Sequence, residues 1–188
     1  MDLQKFGVKL FFNMNGSYSS KDFIPVFHTW IQENAVDDHL LVDVADYSHI
    51  LDGPGIMLVA HEGNFSLDNE NHQPGMLYMR KTEIEGNFNA RFEKVLNTVI
   101  QAAKRLCDNN IHNEIDLIRN SFRFIANDRR LAENTAKNQK LYQNKIKEIL
   151  LANYNESKIE CGNISSENER LAFTLNLNSD INILKGNE

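Results

Sequence analysis

The chain has 188 residues, of which 41% are hydrophobic and 24% charged, and its formal net charge is −6. This composition supports a hydrophobic core, and the longest apolar runs are too short to cross a membrane, so wholesale disorder and a membrane span are both excluded. Because an acidic chain without a basic block repels phosphate groups, we expect neither nucleic acid nor an anionic membrane surface as a partner.

The sequence predicts a reducing, cytoplasmic environment and a soluble protein. The first residues do not form a basic region followed by an apolar stretch, which is the pattern of a secretory signal. The two cysteines, Cys107 and Cys161, fit neither a disulfide framework nor a zinc-binding spacing. We therefore expect both thiols to be structural.

The beginning of the chain predicts a strand followed by a helix. Apolar residues alternate with other residues over positions 6–12, which is typical of a strand with one buried face. Ser19 and Asp22 have the spacing of a capping box, and apolar residues then recur at helical intervals. These features predict a helix over about 21–33, with Pro25 in its first turn.

Three apolar runs in the next segment predict three strands. The runs at 40–47 and 56–62 are nearly continuous, which favours central strands covered on both faces. The connecting loop, 48–55, ends in a Gly-Pro-Gly sequence that we interpret as a rigid turn, because a strand follows it and no phosphate-binding motif surrounds it. The run at 76–80 is predicted to be an antiparallel partner.

The second half of the chain predicts two helices and three strands. Apolar residues recur every three or four positions from Phe88 to Leu106, and the helix is expected to end at Asp108. Asn134 is predicted to cap a second helix over about 135–153. Residues 111–120 fit either a short helix or an extended lead-in to a strand. The predicted strands are 122–126, 158–162 and 171–177.

Together these elements predict an α+β fold in the order β-α-β-β-β-α-β-α-β-β, with helices packed on a mixed sheet. We expect one domain over 1–178 and a polar, frayed tail over 179–188. The halves 1–110 and 111–178 have similar element orders, so the chain fits a duplication. Simple recurrence of a common arrangement explains the similarity equally well.

Polar side chains gather near the ends of two predicted strands: Asp43, Asp46, His49, His61 and Glu62. Asp43 interrupts an apolar run, where a buried carboxylate would need a partner. Carboxylates and imidazoles that converge could bind a divalent metal or transfer a proton. The alternative is structural, with Asp46 and His49 bonding to local backbone amides in a turn.

Strand geometry limits which of these side chains can meet. The loop 48–55 is too short for a helical crossover, so its two strands are expected to be antiparallel. His61 would then lie about five residues of rise, roughly 15 Å or more, from Asp46. We therefore expect Asp46 and His49 not to share a set of metal ligands with His61, whereas Asp43 could approach His61 or Glu62. No metal ion or other cofactor is assigned.

A second polar group, Asn127, Asp128 and Arg129, follows the predicted strand 122–126. Arg129 could bind a carboxylate or a phosphate through two parallel hydrogen bonds. In the alternative interpretation, Asp128 and Arg129 only organise the loop between the strand and the next helix.

Several segments resemble a family of bacterial proteins of similar length, and the resemblance covers most of the chain. It is carried by LVDVADYSH (41–49), GPG (53–55), IMLVAHE (56–62), NDR (127–129) and the segment 24–32. The chain departs from the family pattern at Glu133, where the family has proline. The resemblance marks eight side chains as one set, and it implies no reaction. They are Asp43, Asp46, His49, His61, Glu62, Asn127, Asp128 and Arg129.

The sequence therefore predicts a protein that binds a small ligand through polar residues at strand ends, and whether it is an enzyme stays open. The alternative is a non-catalytic interaction or assembly protein, with a protein partner or a second copy of itself, in which the same residues form a structural network.

Overall fold

One eight-stranded sheet and three α-helices make up the described part of the computed structural model, which covers residues 3–14, 19–108, 115–153, 158–166, 168–178 and 180. The strands are β1 (Phe6–Met14), β2 (Leu41–Tyr47), β3 (Gly55–Ala60), β4 (Gly63–Asp68), β5 (Gly75–Arg80), β6 (Ile115–Ala126), β7 (Ile159–Ile164) and β8 (Ala172–Leu177). The helices are α1 (Ile24–Glu33), α2 (Phe88–Asp108) and α3 (Ala136–Asn153). Two short 3₁₀ helices cover Ser20–Phe23 and Glu70–His72.

The strand order in the sheet is β2-β3-β4-β5-β1-β6-β8-β7, and every ladder between described strands is antiparallel. The α+β class is thus confirmed, although the sheet is antiparallel where the sequence predicts a mixed one. The strands β1 and β6 pair in the interior of the sheet, and β2 and β7 form its edges.

The core lies between one face of the sheet and the helices. Phe6, Val8, Leu10 and Phe12 alternate along β1, and all four are buried, as their spacing predicts. Their neighbours across the sheet continue the same face; Phe124, for example, lies opposite Val8. Helices α2 and α3 pack on this face, where Tyr142 of α3 stacks on Phe124 with 6.0 Å between ring centres, and α1 packs against β2. The second face of the sheet carries Lys9, Arg123 and Thr174.

Strand β4 is absent from the sequence prediction. It lies between β3 and β5, so β5 pairs with β4 and β1 and makes no ladder with β3. Its apolar residue Phe65 is fully buried, whereas Asn64, Ser66 and Asp68 point to the second face. Because only two apolar residues alternate with polar ones, and glycine and aspartate end the segment, it has the composition of a turn.

Strand β2 is an edge strand, and the prediction of a central strand covered on both faces is wrong for it. Val42 is 58% exposed, and Asp43 is exposed as well. Strand β3 alternates between buried and half-buried residues, so it too lacks two fully covered faces. The β-branched composition of β2 therefore reports strand propensity and not burial.

The predicted helices are confirmed with changes at their starts. The capping box of Ser19 and Asp22 begins a 3₁₀ turn that leads into α1. At α3 the capping side chain is Thr135, whose Oγ1 accepts from the amide of Asn138 at 3.3 Å, whereas Asn134 is buried and donates to the 165–166 loop. The prediction that Asn134 caps this helix is therefore wrong.

Two predictions fall partly outside the described residues. Residues 115–120 are extended in β6, which agrees with the extended alternative, and 111–114 lie outside the described part. The predicted frayed tail, 179–188, also lies outside it except for residue 180. In the sheet, β5 lies beside β1 and β8 lies beside β6, so the predicted halves meet at the β1–β6 ladder; a duplication stays a prediction. Among the described residues, no helix is long and apolar enough to span a bilayer.

Candidate functional site

Two of the predicted site carboxylates bond to backbone amides in the edge strand β2 or directly before it. The Asp43 carboxylate accepts from the amide of Val44 at 2.8 Å, and Glu62 Oε2 accepts from the amide of Leu40 at 2.8 Å. Asp43 is exposed, so the expectation of a carboxylate buried in a central strand is wrong. Both carboxylates supply acceptors to an edge that has no neighbouring strand in the sheet.

The charge of Glu62 is favoured by its surroundings. Partial burial acts to raise the pKa of its carboxyl, but the amide of Leu40 and its own amide, with the nearby His39 and His61, outweigh that effect. The pKa of Glu62 is therefore lower than its ordinary value, as expected for a carboxylate that accepts amide hydrogen bonds.

Asp46 holds the loop that follows β2. Its Oδ1 accepts from the hydroxyl of Ser48 at 2.6 Å and from the amide of Ser48 at 2.9 Å, and Lys21 Nζ lies 3.5 Å from its other oxygen. The two Ser48 hydrogen bonds, then the Lys21 charge, lower the pKa of Asp46. The turn that the alternative interpretation predicts for Asp46 is therefore present. His49 is exposed in the same loop.

The structure does not bring the five polar residues of 43–62 into one cluster. Strands β2 and β3 are antiparallel, as predicted, with Asp46 opposite Ile56, and the amide of His61 donates to the carbonyl of Leu40 at the other end of the pair. Asp43 lies opposite Val59 and makes no hydrogen bond or ion pair with His61 or Glu62 among the described residues. In the part of the chain that the structure describes, no group of three His, Cys, Asp or Glu side chains is placed to hold a metal ion.

The group Asn127, Asp128 and Arg129 lies in the loop between β6 and α3. The Asp128 carboxylate accepts from the amides of Arg130 at 3.0 Å and Leu131 at 3.2 Å, and so organises the turn. Asn127 Oδ1 instead accepts from the guanidinium of Arg170 at 3.0 Å. Arg129 is exposed, and the loop lies apart from the β2 edge.

A buried ion pair on the second face is the strongest electrostatic feature that the sequence interpretation missed. Lys9 Nζ lies 3.0 Å from Asp68 Oδ2, and the two residues are 1% and 4% exposed. Asp68 Oδ1 also accepts from the amide of Glu70 at 2.6 Å. Burial lowers the pKa of Lys9, against the opposing charges of Asp68 and Glu70. The lysine stands out in the apolar segment 6–12, but its partner belongs to the unpredicted β4.

A second buried polar group joins the start of β2 to β5. The Tyr78 hydroxyl lies 2.6 Å from His39 Nε2 and accepts from Arg80 Nη1 at 3.2 Å, while His39 Nδ1 lies 2.8 Å from the carbonyl of Asp37. These partners assign a neutral imidazole that donates through Nδ1 to Asp37 and accepts from Tyr78 through Nε2. Burial lowers the pKa of His39, in agreement with the neutral form. His39 precedes the strand without any pattern that marks it.

A cleft of about 320 Å³ opens where the loop 48–55 faces the segment 67–75. Ser20–Phe23, at the start of the first helical region, closes a third side. Its apolar walls include Phe12, Phe23, Ile50, Leu51, Leu67 and Pro74. The cleft thus lies beside the ends of β1, β2 and β4 and the starts of β3 and β5, and the predicted residue Asp46 fixes one of its loops.

The Gly-Pro-Gly turn shapes the cleft. Gly55 has φ of 63°, and a Cβ atom there would lie 2.0 Å from the carbonyl oxygen of Leu67. Only glycine combines this left-handed backbone with such a close approach. The turn therefore brings the 48–55 loop against β4, which agrees with its interpretation as a rigid turn.

The polar part of the cleft lining is acidic. It includes Ser48, Asp52, Asp68 and His72, and no lysine or arginine of the described chain lines it. The carboxylate of Asp52 makes no hydrogen bond or ion pair within the same described residues. Such a lining favours a neutral or cationic group over an anion.

The comparisons with known proteins do not assign this cleft. Models of protein families, curated proteins and solved structures each give no match to the chain. The residues and geometry of the cleft therefore supply the basis for a functional interpretation.

Proposed function

We propose that the protein binds a small molecule in this cleft, and that the ligand has an apolar body and a cationic or hydrogen-bond-donating end. The observation that carries the proposal is the combination of apolar walls with an acidic lining in one cavity of about 320 Å³. Cavities of about 300 to 1,000 Å³, mostly apolar with a few polar groups, are typical of small-molecule sites.

The apolar body of the ligand would lie against Phe12, Phe23 and Leu67, since these side chains form the walls. Burial of apolar surface supplies most of the binding free energy in such a site. Ile50 and Leu51 are exposed at the same cavity and would lose contact with water when the ligand binds.

The polar end of the ligand would bind Asp52 and Ser48. The Asp52 carboxylate has its full acceptor capacity, whereas Asp68 already accepts from Lys9 and the amide of Glu70. The Ser48 hydroxyl donates its hydrogen to Asp46, so its oxygen can act only as an acceptor for a ligand N–H or O–H. Asp46 is thus a positioning residue for Ser48 in this proposal.

Two probes of similar size and opposite charge test the chemistry of the site. Isothermal titration with 2-phenylethylamine and with 3-phenylpropanoate should give tighter binding of the amine. Asp52→Asn should weaken amine binding by about tenfold, which corresponds to about 1.4 kcal/mol, because it removes the charge-assisted hydrogen bond. Asp43→Asn, an exposed carboxylate away from the cleft, is the matched control and should leave the affinity unchanged.

A second pair of variants tests the location. Ile50 and Leu151 are both 48% exposed, but only Ile50 lines the cleft. Ile50→Ser should weaken amine binding, and Leu151→Ser on α3 should not. Equal binding of both probes, or equal effects of the two variants in either pair, would contradict the proposal, as would the absence of binding by either probe at millimolar concentrations.

A further inference from the structure

A second hollow, of about 190 Å³, lies on the second face of the sheet and has a different chemistry. Three arginines line it: Arg123 from β6, Arg129 from the loop before α3, and Arg170 from the loop before β8. Glu70 and Glu169 line the same hollow. We call this the arginine hollow. It shares no lining residue with the cleft described above.

The arginines of the hollow differ from others in the chain in their partners. Arg105 pairs with Glu33 at 2.7 Å, and Arg91 donates to the carbonyls of Ile84 and Leu3. Within the described residues, by contrast, Arg123 and Arg129 make no side-chain hydrogen bond or ion pair.

Arg170 of the hollow has a neutral partner, the side-chain oxygen of Asn127 at 3.0 Å. Three guanidinium groups around one small volume repel each other, and the chain as a whole carries a net charge of −6. Glu70 and Glu169 offset part of that repulsion, and an anion between the arginines would reduce it further.

The local structure fixes the backbone that carries these side chains. Asp128 bonds to the two amides that follow Arg129 and so sets its turn. Asn127 orients the Arg170 guanidinium, and its own amide donates to the carbonyl of Lys5 at 2.8 Å. Arg123 lies in an interior strand, opposite Lys9 and Thr174. A ligand would thus meet three cations that three separate elements already place together.

The acidic residues of the hollow have other interactions. Glu169 accepts from the amide of Ser166 at 3.0 Å, so part of its acceptor capacity serves the turn before β8. Glu70 acts on the buried Lys9, whose pKa it helps to hold up against burial. Both glutamates keep their negative charge, but the lining holds three arginines against two glutamates and is therefore positive on balance.

We infer that the arginine hollow binds a small oxyanion, a phosphate or a carboxylate group, through Arg123, Arg129 and Arg170. Guanidinium groups bind both through paired N–H···O hydrogen bonds, and several guanidiniums around one oxyanion are a common arrangement for such recognition. The volume of about 190 Å³ suits a small anion or the anionic end of a larger molecule. The inference is independent of the ligand proposed for the cleft.

The test titrates the full chain with inorganic phosphate and, separately, with succinate, while sodium chloride keeps the ionic strength constant. At least one anion should raise the melting temperature in a saturable manner. Arg129→Gln and Arg170→Gln should each lower the affinity for that anion by about tenfold, because each variant loses charge-assisted hydrogen bonds. Arg130→Gln removes a neighbouring exposed charge that does not line the hollow, and it should change the affinity by less than about twofold.

Glu70→Gln provides an independent test of the sign of the charge. Removing a negative group from the lining should tighten the binding of an anion. Stronger binding of phosphate than of succinate assigns a phosphate group, and the reverse order assigns a carboxylate. No saturable stabilisation by either anion, or an effect of Arg130→Gln as large as that of Arg129→Gln, would overturn the inference.

Discussion

Carboxylates at the edge and in the interior of this sheet have two different roles. At the edge strand β2, the carboxylates of Asp43 and of Glu62, which lies in the turn between β3 and β4, accept from amides that no neighbouring strand covers. In the interior, Asp68 pairs with Lys9, and both are almost completely buried. A buried charge depends on its partner far more than an exposed one. The position of the strand in the sheet therefore decides what a carboxylate contributes.

The buried pair is also related to both cavities. Asp68 lines the acidic cleft, whereas Glu70 and Arg123, which line the arginine hollow, both act on the charge of Lys9. Asp68 thus connects the buried pair directly to the acidic cleft, whereas Lys9 is connected to the arginine hollow only through the charges of Glu70 and Arg123. The edge carboxylates have no such connection to either cavity, apart from Asp46 through Ser48.

The largest expected effect comes from breaking the buried pair. Asp68→Ala leaves Lys9 buried without its counter-ion and should lower the free energy of unfolding by about 3–5 kcal/mol. Urea denaturation measures this loss, with Asp43→Ala on the edge strand as the control, which should change stability by less than about 0.5 kcal/mol. Similar losses in the two variants would break the distinction between interior and edge.

A double variant separates the effect of the two charges on stability from the effect of side-chain packing. Lys9→Met combined with Asp68→Leu removes both charges and fills much of the same volume. It should recover most of the stability lost in Asp68→Ala, since buried pairs are often replaceable by apolar residues. A double variant as unstable as Asp68→Ala would show that charge is not the reason for the loss.

The buried hydroxyl of Tyr78 should give the next largest effect. Tyr78→Phe leaves His39 Nε2 and Arg80 Nη1 without that partner and should cost about 1–3 kcal/mol. Tyr47→Phe, on the exposed edge strand, should cost less than about 0.5 kcal/mol in the same urea experiment. Equal losses would contradict the burial argument.

The neutral state of His39 predicts a pH dependence of stability. Burial lowers its pKa below the ordinary value of 6.5, so the unfolded chain takes up this proton at a higher pH than the folded one. This contribution is fully present above pH 6.5 and is lost as the pH falls towards the folded-state pKa. His39→Gln should reduce the decrease in stability between about pH 7.5 and about pH 5.5, whereas His49→Gln, an exposed control, should not.

The smallest effect on stability is expected at the edge strand. The double variant Asp43→Ala and Glu62→Ala frees the amides of Val44 and Leu40 to solvent and should lower stability by less than about 1 kcal/mol. It should, however, increase self-association, because an unprotected edge with exposed apolar residues can pair with another strand. Sedimentation velocity compares it with Glu83→Ala and Glu85→Ala, which remove the same charge elsewhere. Equal self-association would contradict the protective role.

The periodicity of the sequence predicts the elements that contribute strongly to the core. The alternation along β1 and the stripe of α2 are examples, since burial of one face imposes those spacings. Strand β4 is missed by the sequence prediction because its polar residues on the second face outnumber its buried apolar residues. The edge position of β2 could not be predicted for another reason, because the composition of a strand does not show which strands become its neighbours.

In the candidate site, too, the sequence predicts the local features but not the contacts between distant segments. The Asp46 turn and the Gly-Pro-Gly turn are local, and the sequence predicts both. The cleft itself joins the loop 48–55 to residues near 70, and the arginine hollow joins residues from three parts of the chain. Contacts between distant segments depend on strand order, which a single sequence does not give.

Backbone amide NMR of the whole chain, titrated with 2-phenylethylamine, tests the proposed ligand cleft most directly. Binding there predicts saturable shifts of the amide signals concentrated at residues 20–23, 48–55 and 67–75, the segments that contribute most of the cleft lining. The Asp52→Asn variant should reduce the affinity measured from the same signals. Saturable shifts confined to residues outside these segments, or no saturable shifts at all, would contradict the proposed function.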